Sequence, residues 1–395
     1  MNALSKLDIT IASRIYLPEP AAASFRLGAL ARAIRDAGAT TTVLTTIPPT
    51  EYADDSCDHD GIVVRRARVL RDKAGYVRGY AQYMSFDIPL FFRLIFRRRP
   101  DILVVEPPPT TGFFVRIAST LMRVPYVYYA ADIWSDAVQT TTAPRSIVGI
   151  VRAVELWAMR GAAVVMSASA EFTERLAELG VEGNVTNIGN GVDTTFFEQE
   201  GPTRDLGAPY LLYAGTASEV HGATFFLDAF AQVLAEVPRS RLVFVGQGSE
   251  REELERLAAE LPTGSVHFEA RLPPRDVAEW IRGASATLAS VRPGGYHRAF
   301  PTKMYASVAC GTPVIYAGVG PGREFANLPG LGTAIEYSTV EVARAMIVAL
   351  GEPPLPEVRS EIAAWAVANV SLTAVAQRAV DAISGVLSTR RSPHN

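Results

Sequence analysis

The densest run of chemistry-bearing residues in this 395-residue chain is Arg292-Pro293-Gly294-Gly295-Tyr296-His297-Arg298-Ala299-Phe300-Pro301-Thr302-Lys303. Its cations sit in a glycine-bearing loop running into Pro301, where a helix is expected to begin and proline's missing N–H costs nothing. Arg292 and Lys303 would supply fixed positive charge, and the helix start would add free amides and the positive end of its dipole. Phosphate oxygens, and a diphosphate above all, suit such a loop. Solvation at the surface is the commoner use of arginine and lysine, but the glycines and the helix start favour an anion.

Three further glycine turns follow strand-like runs. Leu211-Leu212-Tyr213-Ala214-Gly215-Thr216 reads as a buried strand entering a small-residue turn, where Gly215 would admit a ligand to the backbone and the next amides would donate to phosphate. Val243-Phe244-Val245-Gly246-Gln247-Gly248-Ser249 repeats this, with Gly246 and Gly248 leaving room for a ligand. Ser249 with Glu252 three residues on reads as a capping box. Gly318-Val319-Gly320-Pro321-Gly322-Arg323-Glu324 is the third turn. Glu324 falls near a helix start, which favours a carboxylate on structural grounds alone.

Carboxylates follow two runs in the first half. Glu106 comes directly after Ile102–Val105, while Asp132 and Asp136 lie just beyond Tyr126–Tyr129. Such a group can contact a substrate hydroxyl, though helix capping explains aspartate equally well. Asp58-His59-Asp60 looks like an acidic metal-chelating pair, but it precedes the run Ile62–Val64 instead of ending a buried strand. No metal is therefore expected.

The elements that must hold these residues are an alternation of short apolar runs and longer helical patterns, the mark of parallel sheets covered on both faces. Besides those named, the runs are Asp8–Ala12, Thr42–Thr45, Ala163–Ser167 and Val185–Ile188, then Tyr210–Tyr213, Leu242–Val245, Val266–Phe268, Ala286–Ala289, Val314–Tyr316 and Thr333–Ile335. Phe25–Ala37 puts Leu27, Leu30, Ala31 and Ile34 on one helical face and is closed by Gly38. A polar, glycine- and proline-bearing stretch, 198–209, reads as a linker. The expected fold class is α/β, with doubly wound domains at 1–197 and 210–370 and a helix over 371–395. Ligands of such sheets lie beyond the carboxyl ends of the strands, so the facing edges should form a cleft.

Hydrophobic residues make up 48% of the chain and charged residues 20%, a globular composition. A net charge of -3 offers no overall basic field for nucleic acid. Cys57 and Cys310 alone fit a reducing cytoplasm, and Met1–Asp8 lacks the basic start and apolar stretch of a signal peptide. The longest apolar stretch, Met84–Phe96, is broken by Asp87, Pro89 and Arg93, whereas a spanning helix needs roughly 20 mostly apolar residues. With Arg97-Arg98-Arg99 behind it, the segment 84–99 fits peripheral contact with an anionic inner membrane face, or equally a buried helix capped by arginines.

Taken together, these segments resemble the retaining GT-B glycosyltransferases of family 4, and within them the colanic-acid and O-antigen branch. The resemblance covers nearly the whole chain and rests on Tyr16-Leu17-Pro18-Glu19-Pro20, Phe25-Arg26-Leu27, Asp132-Ile133-Trp134, Ile188-Gly189-Asn190-Gly191-Val192-Asp193, Tyr213-Ala214-Gly215, Val245-Gly246-Gln247-Gly248, Phe300-Pro301-Thr302-Lys303 and Gly311-Thr312-Pro313-Val314. It implies two Rossmann-like domains, the first binding the acceptor and the second a nucleotide-diphosphate sugar, foremost a UDP-sugar. The acceptor would be a sugar, glycolipid or small molecule, in polysaccharide, glycolipid or secondary-metabolite glycosylation, and transfer would retain configuration without a metal or other cofactor. By the same resemblance Gly215, Thr216, Arg292 and Lys303 would contact the diphosphate, with Gly246, Gly248, Thr302 and Gly322 beside them. Arg271 and Leu272 would frame the base, Asp132, Glu106 and Glu324 would serve catalysis, and the last helix would return to the N-terminal domain. The chain departs from the pattern in two places. Arg298 and Ala306 stand where many members carry glutamates, and the basic residue usual after Gly215 is missing, with His221 the nearest substitute. Two alternatives therefore stay open: a degenerate GT-B protein with a binding or regulatory role, and a GT-B enzyme that couples to a non-sugar acceptor.

Overall fold

The computed structural model describes residues 4–52, 61–73, 75–139, 144–294 and 297–391. They form two compact units, Met1–Asn190 with Leu372–Asn395, and Gly191–Ser371.

The first unit runs β1 (Asp8–Ala12), α1 (Ala22–Asp36), β2 (Thr40–Thr46), β3 (Val63–Ala67), α2 (Tyr80–Ile95), β4 (Ile102–Val105), α3 (Pro109–Met122), β5 (Tyr126–Ala130), α4 (Trp134–Gln139), α5 (Arg145–Arg160), β6 (Val164–Ser167), α6 (Ala170–Glu178) and β7 (Val185–Asn187). Its seven strands are all parallel, in the order β3-β2-β1-β4-β5-β6-β7. The central strands read as unbroken apolar runs because helices cover both faces; every residue of β4 is fully buried. β3 lies at the edge and starts one residue later than its apolar run, continuing through Arg65 and Arg66, since an edge strand with one open side tolerates polar side chains.

The second unit runs β8 (Tyr210–Ala214), α7 (Phe225–Glu236), β9 (Arg241–Val245), α8 (Arg251–Ala258), β10 (Val266–Glu269), α9 (Pro274–Gly283), β11 (Ala286–Val291), α10 (Lys303–Ala309), β12 (Val314–Gly318), α11 (Pro321–Ala326), β13 (Gly332–Ile335), α12 (Thr339–Gly351) and α13 (Pro356–Asn369). Six parallel strands are ordered β10-β9-β8-β11-β12-β13. The last helix, α14 (Leu372–Arg391), lies in the first unit, where Val375, Ala379, Val380 and Ile383 join Leu27, Leu30 and Ile34 of α1 in one buried cluster.

Local expectations are corrected at three points. The stretch 198–209 is no free linker, for the second unit begins at Gly191. Arg282 of α9 donates to the carbonyls of Glu198 at 3.1 Å and Pro202 at 2.8 Å, and Arg204 pairs with Glu279 at 3.0 Å. Its polarity is answered by fixed donors. Ser249 caps nothing, because α8 starts at Arg251 behind Glu250, whose carboxylate instead accepts from the Ala223 amide at 2.9 Å. Pro301 precedes α10 instead of opening it, the helix starting at Lys303 after Thr302.

Candidate active site

Each sheet has one point where its strand order reverses, and ligands of open α/β sheets bind just beyond the strand ends there. In the second unit the reversal lies between β8 and β11. Gly215 follows β8 and Arg292 follows β11, while the turns after β9, β10 and β12 carry Gly246, Arg271 and Gly320 along the same edge.

Lys303 is the notable group at this edge. As the first residue of α10 it places Nζ 3.4 Å from the centre of the Tyr213 ring, buried and without a hydrogen-bond acceptor. Gly215 lies against its stem: a Cβ there would come within 3.2 Å of Lys303 Cε. The ring face offsets part of the charge, yet burial still pushes the amine well below the usual lysine range. Burial thus weakens its hold on the proton, and an anion beside it would strengthen that hold. Arg292 is exposed and is held by its amide donating to the Val220 carbonyl at 2.9 Å. His221 does not replace a missing cation. Burial, and then Lys303, lower its pKa to about 4, and its Nδ1 lies 2.9 Å from Ser218 Oγ.

Three of the expected ligand glycines also have a packing role, and Gly246 lines a small cavity with Gly215 and Gln247. A Cβ at Gly246 would stand 2.2 Å from the Gly215 carbonyl oxygen, and one at Gly248 1.8 Å from that of Ala217. The two turns interlock, with the Gly215 amide donating to Val245 at 2.8 Å and that of Ala217 to Gln247 at 2.9 Å. The place a side chain would take at either glycine is occupied by the neighbouring turn. Gly322 is pressed against the Tyr316 ring, 2.4 Å from a would-be Cβ. Thr216, Arg271, Thr302 and Glu324 are exposed, and Leu272 packs against the cluster of Val243 and Val245. Ala306 is buried beside Cys310 in that cluster, and Arg298 stands exposed in the loop before α10.

In the first unit the reversal lies between β1 and β4. A cavity of about 80 Å³ occupies it, lined by Ser13 and Arg14 after β1, Glu106 after β4, Asp132 and Trp134 after β5, and Arg26 of α1. Glu106 is buried and ion-paired with Arg26, whose guanidinium lies 5.1 Å from the Tyr129 ring centre. Asp132 is exposed at the rim. Asp136 belongs elsewhere, gripped by Arg175 through two bonds of 2.7 and 2.9 Å.

Two residues here escaped the sequence reading. Arg14 spreads over Tyr83 at 4.5 Å and Trp134 at 5.3 Å, and donates to the Val77 carbonyl at 2.7 Å; only its place just after a strand pointed to it. Glu155, fully buried on α5, accepts from the amides of Trp134 at 2.7 Å and Ser135 at 2.9 Å. It pins the start of α4 and with it the segment that carries Asp132. The one trace it leaves in the sequence is a carboxylate on the apolar face of a helix.

Among the described residues no group of three or more His, Cys, Asp or Glu side chains is placed to hold a metal ion, and no helix is long and apolar enough to cross a membrane. Asp58, His59 and Asp60 lie outside the described residues, as do Cys57, Gly295 and Tyr296. Just after α2, Arg97 donates to Thr42 Oγ1 at 2.7 Å and Arg99 to the Arg123 carbonyl, so these two cations are bonded to the fold.

Residues 22–191 match the family model described as Glycosyl transferase 4-like domain, and residues 208–352 match that of Glycosyl transferases group 1. A D-inositol 3-phosphate glycosyltransferase from Thermobispora bispora is 32% identical over 170 residues, 39% of this chain and 37% of that relative. The match thus spans little more than a third of the relative's length. Among solved structures, sucrose-phosphate synthase from Thermosynechococcus elongatus superposes with a TM-score of 0.69 at 16% identity, over 97% of this chain and 100% of that one. HepE from Anabaena in complex with UDP-glucose does so with a TM-score of 0.64 at 16% identity, over 96% and 100%. At such identities the likeness shows the fold.

Proposed function

The chain belongs to the GT-B glycosyltransferases, a 4-like domain followed by a group 1 domain, and from that premise we propose that it moves a sugar from a nucleotide-diphosphate donor to an acceptor hydroxyl. The observation that carries this is Lys303: a buried amine without an acceptor, at the reversal of strand order in the group 1 unit. An unpaired buried cation is costly, and a diphosphate would relieve that cost through charge-assisted hydrogen bonds. Arg292 and the turn at Gly215 and Thr216 flank the same place, and Arg271 with Leu272 would border the base. UDP is the favoured nucleotide, supported by the UDP-glucose held by HepE. Retention of configuration, and countercharge supplied by side chains instead of a metal, are carried by the family resemblance. The 4-like unit would take the acceptor, its hydroxyl meeting Asp132 and Glu106 in the cavity beside Arg14, while Glu324 would serve the sugar from the donor side. Peripheral membrane contact through 84–99 belongs to the same proposal. Phe92 and Phe96, exposed and stacked at 6.2 Å, support it.

Thermal melting against a panel of nucleotide diphosphates and their sugars tests the donor site. A ligand at about a hundred times its Kd adds roughly 2.7 kcal/mol to the folded state, so the preferred nucleotide should raise the Tm, with or without a chelator. Lys303→Met keeps the aliphatic stem and removes the charge. It should melt no lower than the parent when free, yet lose affinity by about tenfold or more. A parent chain that no nucleotide stabilises would instead favour a binding or regulatory protein without donor chemistry.

A further inference from the structure

Glu106 can serve an acceptor hydroxyl only if one of its oxygens is left for that hydroxyl. Its Oε1 is bound by Arg26 Nη2 in a buried ion pair. The rest of the guanidinium edge is not used, for Arg26 Nε, also buried, has no acceptor. A forked arginine engages both carboxylate oxygens; this one engages a single oxygen and leaves Oε2. Ser13 Oγ stands 3.5 Å from Oε2, but a hydroxyl has one hydrogen, and that of Ser13 goes to the Ile15 carbonyl at 2.8 Å. Oε2 is therefore an acceptor without a close donor, in a residue that lines a cavity of about 80 Å³.

Arg26 is itself held from two elements. It belongs to the second turn of α1, next to Leu27, whose side chain is fully buried in the cluster shared with α14. Its guanidinium lies 5.1 Å from the centre of the Tyr129 ring of β5, a cation over an aromatic face. Burial works against the charge, but Glu106, by its field and its hydrogen bond, outweighs burial and raises the Arg26 pKa above its ordinary value. One ion pair thus joins α1, the end of β4 and β5. A carboxylate without that partner could turn about its own side-chain bonds and present either oxygen.

We infer that Arg26 is a positioning residue for the transfer: by binding Oε1 it fixes Glu106 with Oε2 ready for the acceptor hydroxyl. In the transfer a bond forms from the hydroxyl oxygen to the anomeric carbon of the sugar. The bond from that carbon to the diphosphate breaks, its electrons go to the diphosphate, and the hydroxyl proton passes to Oε2. Arg26 touches none of the reacting atoms. The inference rests on the transferase reading and adds the residue that orients its carboxylate.

Steady-state release of nucleotide from its sugar by the full chain, with water or simple sugars as acceptor, tests this. The donor is the sugar of the nucleotide that raises the Tm. Arg26→Met should lower kcat by about a hundredfold and leave the donor KM unchanged. Glu106→Gln should lower kcat to the same level, and the double variant should fall no further, because groups that act as a unit are not additive. Arg26→Lys keeps a cation for Oε1 without the guanidinium's geometry, so it should fold as the parent does and lose about tenfold in kcat alone. Losses that multiply in the double variant, or a donor KM that rises as kcat falls, would mark a merely structural role and overturn the inference. Parental kcat in Arg26→Lys overturns it too, even where Arg26→Met fails to fold. The nucleotide-induced Tm shift should persist in every variant. A parent chain that takes up nucleotide but releases none from any sugar sinks the transferase reading and this inference with it, whereas parental turnover in the Arg26 variants sinks the inference alone.

Discussion

Lys303 shows how a residue can be found in a sequence while its physics is not. Its place after a glycine-bearing cationic loop marked it as an anion ligand, but no spacing rule says that its amine would be sealed from water over the Tyr213 ring. The consequence is a linkage. With its pKa held well below the ordinary lysine range by burial, the free protein releases this proton more readily than the diphosphate complex, in which the anion holds it. Above the free pKa, binding must take a proton up, so nucleotide affinity should fall as pH rises toward the usual lysine range, by at most about tenfold per pH unit. Titrations across that range check this, with Lys303→Met as the reference: the slope should vanish in the variant, and an equal slope in both would assign the proton elsewhere. Arg14, by contrast, was invisible beforehand. Its partners Tyr83 and Trp134 stand 69 and 120 positions away along the chain, and only the fold brings them together.

At the scale of elements, two buried carboxylates of the first unit join helix to helix. Glu155 ties α5 to the start of α4, and Asp87 ties α2 to the first turn of α3 by accepting from Thr111 Oγ1 at 2.7 Å. Burial lifts the Asp87 carboxyl to about 6, opposed by that hydroxyl and by Arg14. Raised in the folded state, it keeps a proton there that the unfolded chain has already released. The stability it contributes is therefore complete below the ordinary carboxylate range and is lost as pH rises through about 6, a difference of about 3 kcal/mol at most. Asp87→Asn preserves the acceptor oxygen and removes the titration. Its stability in urea should exceed the parent's near neutrality and converge with it in acid; parallel curves for the two proteins would show that Asp87 stays ionised. Such ties were beyond the sequence for a plain reason. A carboxylate inside an apolar run looks like an interruption of the run, as Asp87 did in Met84–Phe96, until the donor it meets is seen. Gly246 and Gly248 hid a different fact, their close packing against the turn at Gly215 and Ala217, since a glycine that admits a neighbouring turn and one that admits a ligand look the same in one dimension.

At the scale of the whole molecule, the strands were the most legible feature, because parallel strands covered on both faces must be apolar throughout and short, and turns must separate them. The division of the chain was less so. The polar stretch 198–209 suggested a linker, yet Arg282 and Glu279 bind it to the second unit, and the real crossing comes at Gly191. The other crossing has a stronger consequence. Since α14 lies in the first unit, that unit is finished only by residues beyond the second. Val375, Val380 and Ile383 are at most 4% exposed there, and burying a side chain of this size contributes about 1.5–3 kcal/mol. Three of them together approach the whole stability of a typical domain, roughly 5–15 kcal/mol. A chain ending at Ser371 should accordingly lose the cooperative melting of the first unit, leaving residues 4–190 open to protease, while the second unit still melts cooperatively and still responds to nucleotide. Domain-resolved proteolysis across a thermal ramp would show both. Protection of residues 4–190 unchanged by the truncation would mean that α1 and its sheet close their core without α14, and that the returning helix serves something other than the stability of the unit on which it packs.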